Sequence, residues 1–272
     1  MDFLYLSKQI LTMRWFTSRL VLTFIFSIIL LVYVPAATAV GNVDSSVTPP
    51  GAEKSAKTKI LETGAAVLQN KTPVDAINVY VNAFHFHNGN LDRQLEAHHY
   101  CNVVNEDFIQ CVLYDGNSKN ARLIGIEYII SGKSFQNLPE EEKKLWHSHV
   151  YEVKSGQLIA PGIPEIAEHA LMEKIASTYG KIWHTWNVEE PNMSLPLGQP
   201  ALMVGFTADG QANPSLVENR DQRFNISTEA KKLKRTDIPS PPIQPGADAW
   251  QTGQIVQLQL VPLSGTSHIT AK

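Results

Sequence analysis

Residues 93–130, RQLEAHHYCNVVNEDFIQCVLYDGNSKNARLIGIEYII, decide how this chain folds. Three β-rich runs, 93–101, 108–115 and 121–130, are separated by polar turns such as DGNSKN. β-Branched and aromatic side chains pack well on a pleated surface, and Gly, Asn and Asp end such runs. The spacing therefore predicts a meander of antiparallel strands. Further strands are predicted at HSHVYEV (147–153) and QLIAP (157–161), which flank KSG as a hairpin, and at 181–188 and 201–207. QIVQLQLV (254–261) alternates strictly and reads as an edge strand.

Helical signals lie around this sheet. KTKILETGAAVLQ (57–69) puts Ile60, Leu61, Gly64 and Leu68 on one stripe. A second helix is predicted from Thr72 as N-cap and Pro73 at N1, with Val74, Ile77, Val81 and Phe84 at helical spacing, ending at HNGN (87–90). LPEEEKKLW (138–146) fits a short acidic-start helix. The clearest helix is 164–180, with Pro164 at N1, Gly180 at C′, and Ala167, Leu171, Ile175 and Tyr179 toward the core. Residues 215–225 and 227–235 read as polar helices. The expected class is α+β: a largely antiparallel sheet with one long packed helix (164–180) and shorter N- and C-terminal helices.

The ends carry different signals. LVLTFIFSIILLVYV (20–34) is apolar, follows Arg14 and Arg19, and precedes ATA (37–39), a small-x-small site that would release a chain starting at Val40. The alternative is an uncleaved membrane anchor over 20–40. Residues 40–56 read as a flexible linker, 57–237 as the globular domain and 238–272 as a Pro-rich extension. The chain is expected to be exported, periplasmic or extracellular. Its net charge of −3 gives no general attraction for nucleic acid. In an oxidising compartment Cys101 and Cys111 read as a disulfide across a hairpin; the other reading is two small buried hydrophobes.

Most of the nine histidines fall in two stretches, 85–99 and 147–184. His147 and His149 share one face if WHSHVYEVKSG (146–156) is a strand, whereas Glu152 alternates away and needs a bulge or strand end to join them. With His98, His99 and His184 on other strands, these residues outline a polar pocket walled by Trp146, Trp183 and Trp186. Imidazoles and a carboxylate suit a divalent transition metal, with His99, His147 and His149 as candidate ligands. The competing reading is a sheet whose histidines bond to acids such as Glu96 and Glu127. The cupin metal motif does not match, because Glu152 follows His149 too closely and helix 164–180 interrupts the run of strands. Neither a nucleophile elbow nor a phosphate loop is present. Arg220, Asp221 and Arg223 would clamp an anion or line a solvated helix face.

Several segments together, EAHHYC, NEDFIQCVLYD, ARLIGIEYIIS, LPEEEKKLWHSHVYEVKSG, EKIASTYGKIWHTW and LPLG, resemble the oil body-associated proteins of plants, part of a wider family of unknown function shared with bacteria and fungi. The resemblance runs from Ala76 to Asp237. It implies association with lipid droplets and brings no catalytic residues or cofactor. The export signal and the C-terminal extension depart from the plant pattern. Three readings follow: an exported non-enzymatic protein at a lipid or membrane surface, a metal-binding protein or metal-dependent enzyme using the histidines, and a structural interaction module.

Overall fold

The computed structural model describes residues 48–191 and 193–262. The signal or anchor segment, residues 40–47 of the linker and residues 263–272 of the extension lie outside the described residues. Among the described residues no helix is long and apolar enough to cross a membrane.

The predicted meander is present as β2 (Asn90–Asn105), β3 (Phe108–Tyr114) and β4 (Leu123–Ser131), each antiparallel to the next. It is preceded by β1 (Val79–His87) and followed by β5 (His147–Ser148), β6 (Thr178–His184) and β7 (Ala201–Val204). β1 pairs with β2, β4 with β6, β6 with β7, and β7 returns to β1, so six strands close an antiparallel barrel. Closure pairs most of these strands on both sides, which reduces the free edge available to an added strand.

Residues opposite one another across a ladder share a face. One level of the barrel runs His99, Leu113, Gly125, His184, Ala201, and the next runs Cys101, Cys111, Glu127, Ile182, Met203. This face is the interior, because Leu95, Ala97, Leu113, Ile182 and Met203 form one buried apolar cluster with both cysteines. Cys101 and Cys111 are a directly opposed pair joined by a disulfide.

β7 meets β1 only at Phe86 and His87, so the wall opens below that contact, between β1 and β6. The segment 147–160 fills the opening. β5 pairs with Gly180 and Tyr179 of β6, and Ile159 bridges Asn82 of β1. Between them runs a five-residue helix, Val150–Lys154. Two buried arginines hold this segment from outside. Arg220 donates to the carbonyl of Gln157 at 2.8 Å, and Arg235 to those of Val153 and Leu158 at 2.9 and 2.7 Å. Arg220 thus lies on neither an anion clamp nor a solvated face: it is fully buried and stacks on Phe84.

In chain order the helices are α1 (Ala56–Leu68), α2 (Thr72–Asp75), α3 (Gly132–Gln136), α4 (Glu140–Lys143), α5 (Val150–Lys154), α6 (Glu165–Ile175), α7 (Pro214–Phe224) and α8 (Thr228–Lys234). Several expectations need correction. α2 lasts one turn, and the chain then enters β1, because Val79–His87 gains ladder bonds from β2 and β7. The helix expected over 164–180 is α6, which stops at Ile175; Thr178–Gly180 joins β6 between β4 and β5. Its buried positions are Glu168, Met172 and Ile175, and at 11 residues it is shorter than the 13-residue α1. Met172 and Ile175 pack with Val81 and Ala83 of β1 and with Val153, and the six strands close around the connection that carries this helix. The expected hairpin over 147–161 is instead β5 followed by α5. Residues 254–261 form no strand. The Gln257 side chain bonds Leu202 N–H and the carbonyls of Leu202 and Asn88, filling part of β7's outer edge.

Candidate metal centre

Strand register alone sends His85, His99, Glu127, His184 and His147 to the barrel interior. His85 opposes Leu95, two positions from Ala97 and four from His99, and His147 opposes Gly180, two positions from Ile182. The filling segment adds the rest. His149 sits at the start of α5, and Glu152 follows three residues later on the same turn, so the helix supplies what an ideal strand denies. All seven side chains are at most 4 % exposed.

Glu127 is the hub. Its Oε2 lies 3.0 Å from His99 Nε2, while Oε1 lies 3.1 Å from His149 Nε2 and 3.7 Å from His147 Nε2. Glu152 Oε2 stands 3.9 Å from both His147 Nε2 and His149 Nε2. On the other side His85 Nε2 is 3.1 Å from His99 Nε2, and His85 Nδ1 is 3.2 Å from His184 Nε2. Two glycines make the room. A Cβ at Gly180 would lie 2.1 Å from Glu127 Oε1, and one at Gly205 would lie 2.1 Å from Glu152 Oε1.

Hydrogen-bond polarity shows what this cluster lacks. Thr178 Oγ1 donates to the Ile175 carbonyl at 2.7 Å, so it offers only a lone pair to His149 Nδ1 at 2.8 Å. His149 Nδ1 therefore carries the hydrogen, and in the neutral ring Nε2 is a bare acceptor aimed at a carboxylate oxygen. His99 repeats the pattern. Its Nδ1 meets the Ala97 carbonyl at 3.2 Å, which leaves Nε2 bare against Glu127 Oε2 and His85. Among the described residues His147 Nε2 and Glu152 Oε1 make no hydrogen bond. Lone pairs from several elements point at one place, and buried polar atoms are normally satisfied.

Burial, reinforced by His149, pushes His147 down to about 3; burial, reinforced by His99, pushes His184 down to about 3. Burial and the neighbouring His99 and His184 hold His85 well below its ordinary value. These rings are neutral, which is the ligating form. Burial raises Glu127, but its contacts with His149 and His99 outweigh that and leave it well below the usual carboxylate range. Glu152 is held well above that range by burial, then by Glu127 and Asp248. Asp248, which accepts from Ser148 N–H at 3.1 Å, is pushed up to about 7 by burial. Among the described residues no Lys or Arg pairs with Glu127; its ion-pair partners there are His99, His147 and His149.

Of the residues singled out from sequence, His99, His147, His149, Glu152 and His184 come together here. His98 does not. It faces outward, with Nδ1 2.7 Å from Tyr80 Oη and Nε2 3.4 Å from Glu96. His99, His147 and His149 do not meet at one point either, because Glu127 stands between His99 and the other two. Trp146 packs with Ile130, Phe135 and Tyr179, and Trp186 with the apolar barrel cluster. Glu152 is buried with the histidines. His85 escaped sequence reasoning because its segment read as helix, although VYVNAFHFH alternates and is followed by Asn88-Gly89, a hairpin signal. Glu127 was visible only as a bonding partner, and Gly180 only as a helix cap.

Fold and site together define a class: a closed antiparallel barrel with a buried histidine–carboxylate donor set. The chain belongs to the family described as "Protein of unknown function (DUF1264)", whose pattern it matches over residues 71–239. It is 42% identical over 222 residues to oil body-associated protein 1B of Arabidopsis thaliana, covering 81% of this chain and 92% of that one. It is 43% identical over 206 residues to oil body-associated protein 2A of Zea mays, covering 74% and 81%. Oil body-associated protein 2C of Arabidopsis thaliana is 39% identical over 224 residues, covering 81% and 94%. No solved structure matches the chain.

Proposed function

We propose that this protein binds a divalent transition-metal ion inside its barrel, held by Glu127, His147 and His149 with Glu152 beside them. The observation that carries this reading is the convergence of His149 Nε2 and His147 Nε2 on Glu127 Oε1, at 3.1 and 3.7 Å, with the His149 ring oriented by Thr178. An ion seated among them would bond all three atoms. Mixed imidazole and carboxylate donors suit zinc, iron, manganese or cobalt. The donors are enclosed by the barrel, so the proposal is metal binding, and no reaction is assigned to it. The test is elemental analysis of untagged protein purified without chelators, beside a His147→Gln/His149→Gln variant. At least one ion per chain is expected, with one fewer in the variant and the far-ultraviolet spectrum kept. Wild-type protein that carries no metal and takes up none from added zinc or cobalt would sink the reading.

A second reading concerns location, and α1 supports it. None of α1 is buried, Ile60 is 72% exposed, and Leu61, Val67 and Leu68 are exposed beside Lys57 and Lys59. The relatives are called oil body-associated. We propose that the chain is exported through residues 1–39, or kept at the membrane by 20–40, and meets a lipid surface through α1, with the barrel and its metal as cargo. Flotation with phospholipid-coated triolein droplets checks this. Full-length protein should float, and a chain lacking 56–68 should stay at the bottom; equal flotation of both removes α1 from the account.

A further inference from the structure

The metal just proposed occupies one side of the Glu127 carboxylate, and the other side has its own unused donors. We propose that the barrel holds two transition-metal ions bridged by Glu127, the second bound by His85 and His99. This rests on the reading of Glu127, His147 and His149 as a metal site and extends it to a dinuclear centre.

The geometry divides at the carboxylate. Oε1 faces His147 and His149, and Oε2 faces His99. In each half, Glu127 with His85 and His99 or Glu127 with His147 and His149, the three donor atoms lie within 4.8 Å of one another. The separations of His99 Nε2 from His85 Nε2 and from Glu127 Oε2, 3.1 and 3.0 Å, are edges of a coordination polyhedron. Ligand bonds of about 2.1 Å give edges of about 3.0–3.4 Å in octahedral or tetrahedral arrangements. A hydrogen bond explains at most one of these two contacts, since His99 Nε2 is bare in its neutral form.

The outer contacts of the second half are those of a metal ligand set. A ligating histidine usually gives its other ring nitrogen to a carbonyl, a carboxylate or another polar group, which fixes the tautomer. His99 Nδ1 does this with the Ala97 carbonyl, and His85 Nδ1 with His184 Nε2. His149 Nδ1 does the same in the first half with Thr178. His184 therefore acts as a positioning residue for His85. A carboxylate that uses both oxygens places two ions about 3.5–4 Å apart, the usual spacing of two-metal sites.

The experiment counts ions and asks whether they touch. Full-length protein is stripped with a chelator, reloaded with Zn2+ and weighed by native mass spectrometry. Two ions per chain are expected in the wild type, one in His85→Gln, and one in His147→Gln/His149→Gln. The wild type loaded with Cu2+ should show a half-field electron paramagnetic resonance line from two coupled spins, and this measurement needs no variant to fold. One ion that survives His85→Gln and vanishes in His147→Gln/His149→Gln overturns the second ion and keeps the first. No ion overturns both. Two ions without the half-field line, both retained in Glu127→Gln, overturn the bridge.

Discussion

His98 and His99 are adjacent on β2, equally buried, and each within reach of a glutamate, yet their surroundings are opposite in kind. On the outer face, Tyr80 O–H donates to His98 Nδ1 at 2.7 Å, and His98 Nε2 is left to carry the hydrogen toward Glu96. Glu96 is in turn bonded by Asn82 and paired with Arg223. His98 Nε2 makes no hydrogen bond of its own, and the Glu96 carboxylate has its cation in Arg223. On the inner face His99 Nδ1 spends its hydrogen on a carbonyl, and the bare Nε2 faces Glu127 and another imidazole. Burial and proximity do not separate a ligand from a structural histidine here; the direction of each hydrogen bond does.

If the inner face is incomplete without metal, the largest effect belongs to Glu127. Glu127→Ala removes the donor common to both halves and is expected to abolish bound metal. An ion present at about a thousand times its dissociation constant contributes about 4 kcal/mol to stability. In a domain of this size that amounts to roughly 8–16 °C in melting temperature. Calorimetry of wild-type protein with and without chelator should show the same drop, and Glu127→Ala should not respond to chelator. A chelator-insensitive wild type with an unchanged melting point would place both histidines in the structural class.

How much of this contrast was legible beforehand depends on which signals are local. β2, β3 and β4 were readable because alternation and turn chemistry agree, and the adjacency of Cys101 and Cys111 followed from the same hairpin. β1 was not, because Val74, Ile77, Val81 and Phe84 satisfy a helical period while Val79, Val81, Ala83 and His85 satisfy a strand period. A real helix start at Pro73 favoured the wrong one, and the barrel's ladder bonds decided the matter. His85 was lost with it. The joining of His147 and His149 was readable, but for a different reason than the true one: only His147 lies on a strand, and His149 arrives through a helical turn. Glu127 as hub needs the register of three strands, which no single segment contains. Gly180 ends no helix; it is small because the cluster lies where its side chain would be.

The disulfide sharpens the comparison by separating two sources of inner-face stability. Cys111 opposes Glu127 in the register, so the bridge adjoins the metal donors without supplying one. Cys101→Ser/Cys111→Ser is expected to cost about 3 kcal/mol on the chain-entropy account, while ion content stays as in the wild type. Chemical denaturation and elemental analysis of one sample read both quantities. Metal lost together with the bridge would mean that the hairpin, rather than the donors alone, defines the site.

Gly180→Ala tests crowding from the neighbouring strand. The new methyl has to displace Glu127 Oε1, His147 or His149, all within 2.8 Å of where it would sit. Overpacking of this kind costs about 1–3 kcal/mol. The expected signature is weaker metal affinity, by tenfold or more for each ~1.4 kcal/mol by which the donors are displaced from their bound geometry. Affinity equal to wild type by competition titration would show that the donors lie elsewhere when loaded.

The smallest effect should come from the residue next door to the largest contrast. Gln at position 98 can accept from Tyr80 O–H through its oxygen and donate to Glu96 through its nitrogen, so His98→Gln keeps the polarity of the outer network. A stability change of about 1 kcal/mol or less is expected, with no change in bound metal. His99→Gln one position later should lose an ion, because an amide cannot place a bare nitrogen between Glu127 and His85. The two variants differ by a single step along β2, share burial and share chemistry. Their metal contents, measured side by side, therefore test the direction of the hydrogen bonds and little else. Equal loss in both would mean that the polarity assigned to the two faces is wrong, and equal retention would mean that His99 is as structural as its neighbour.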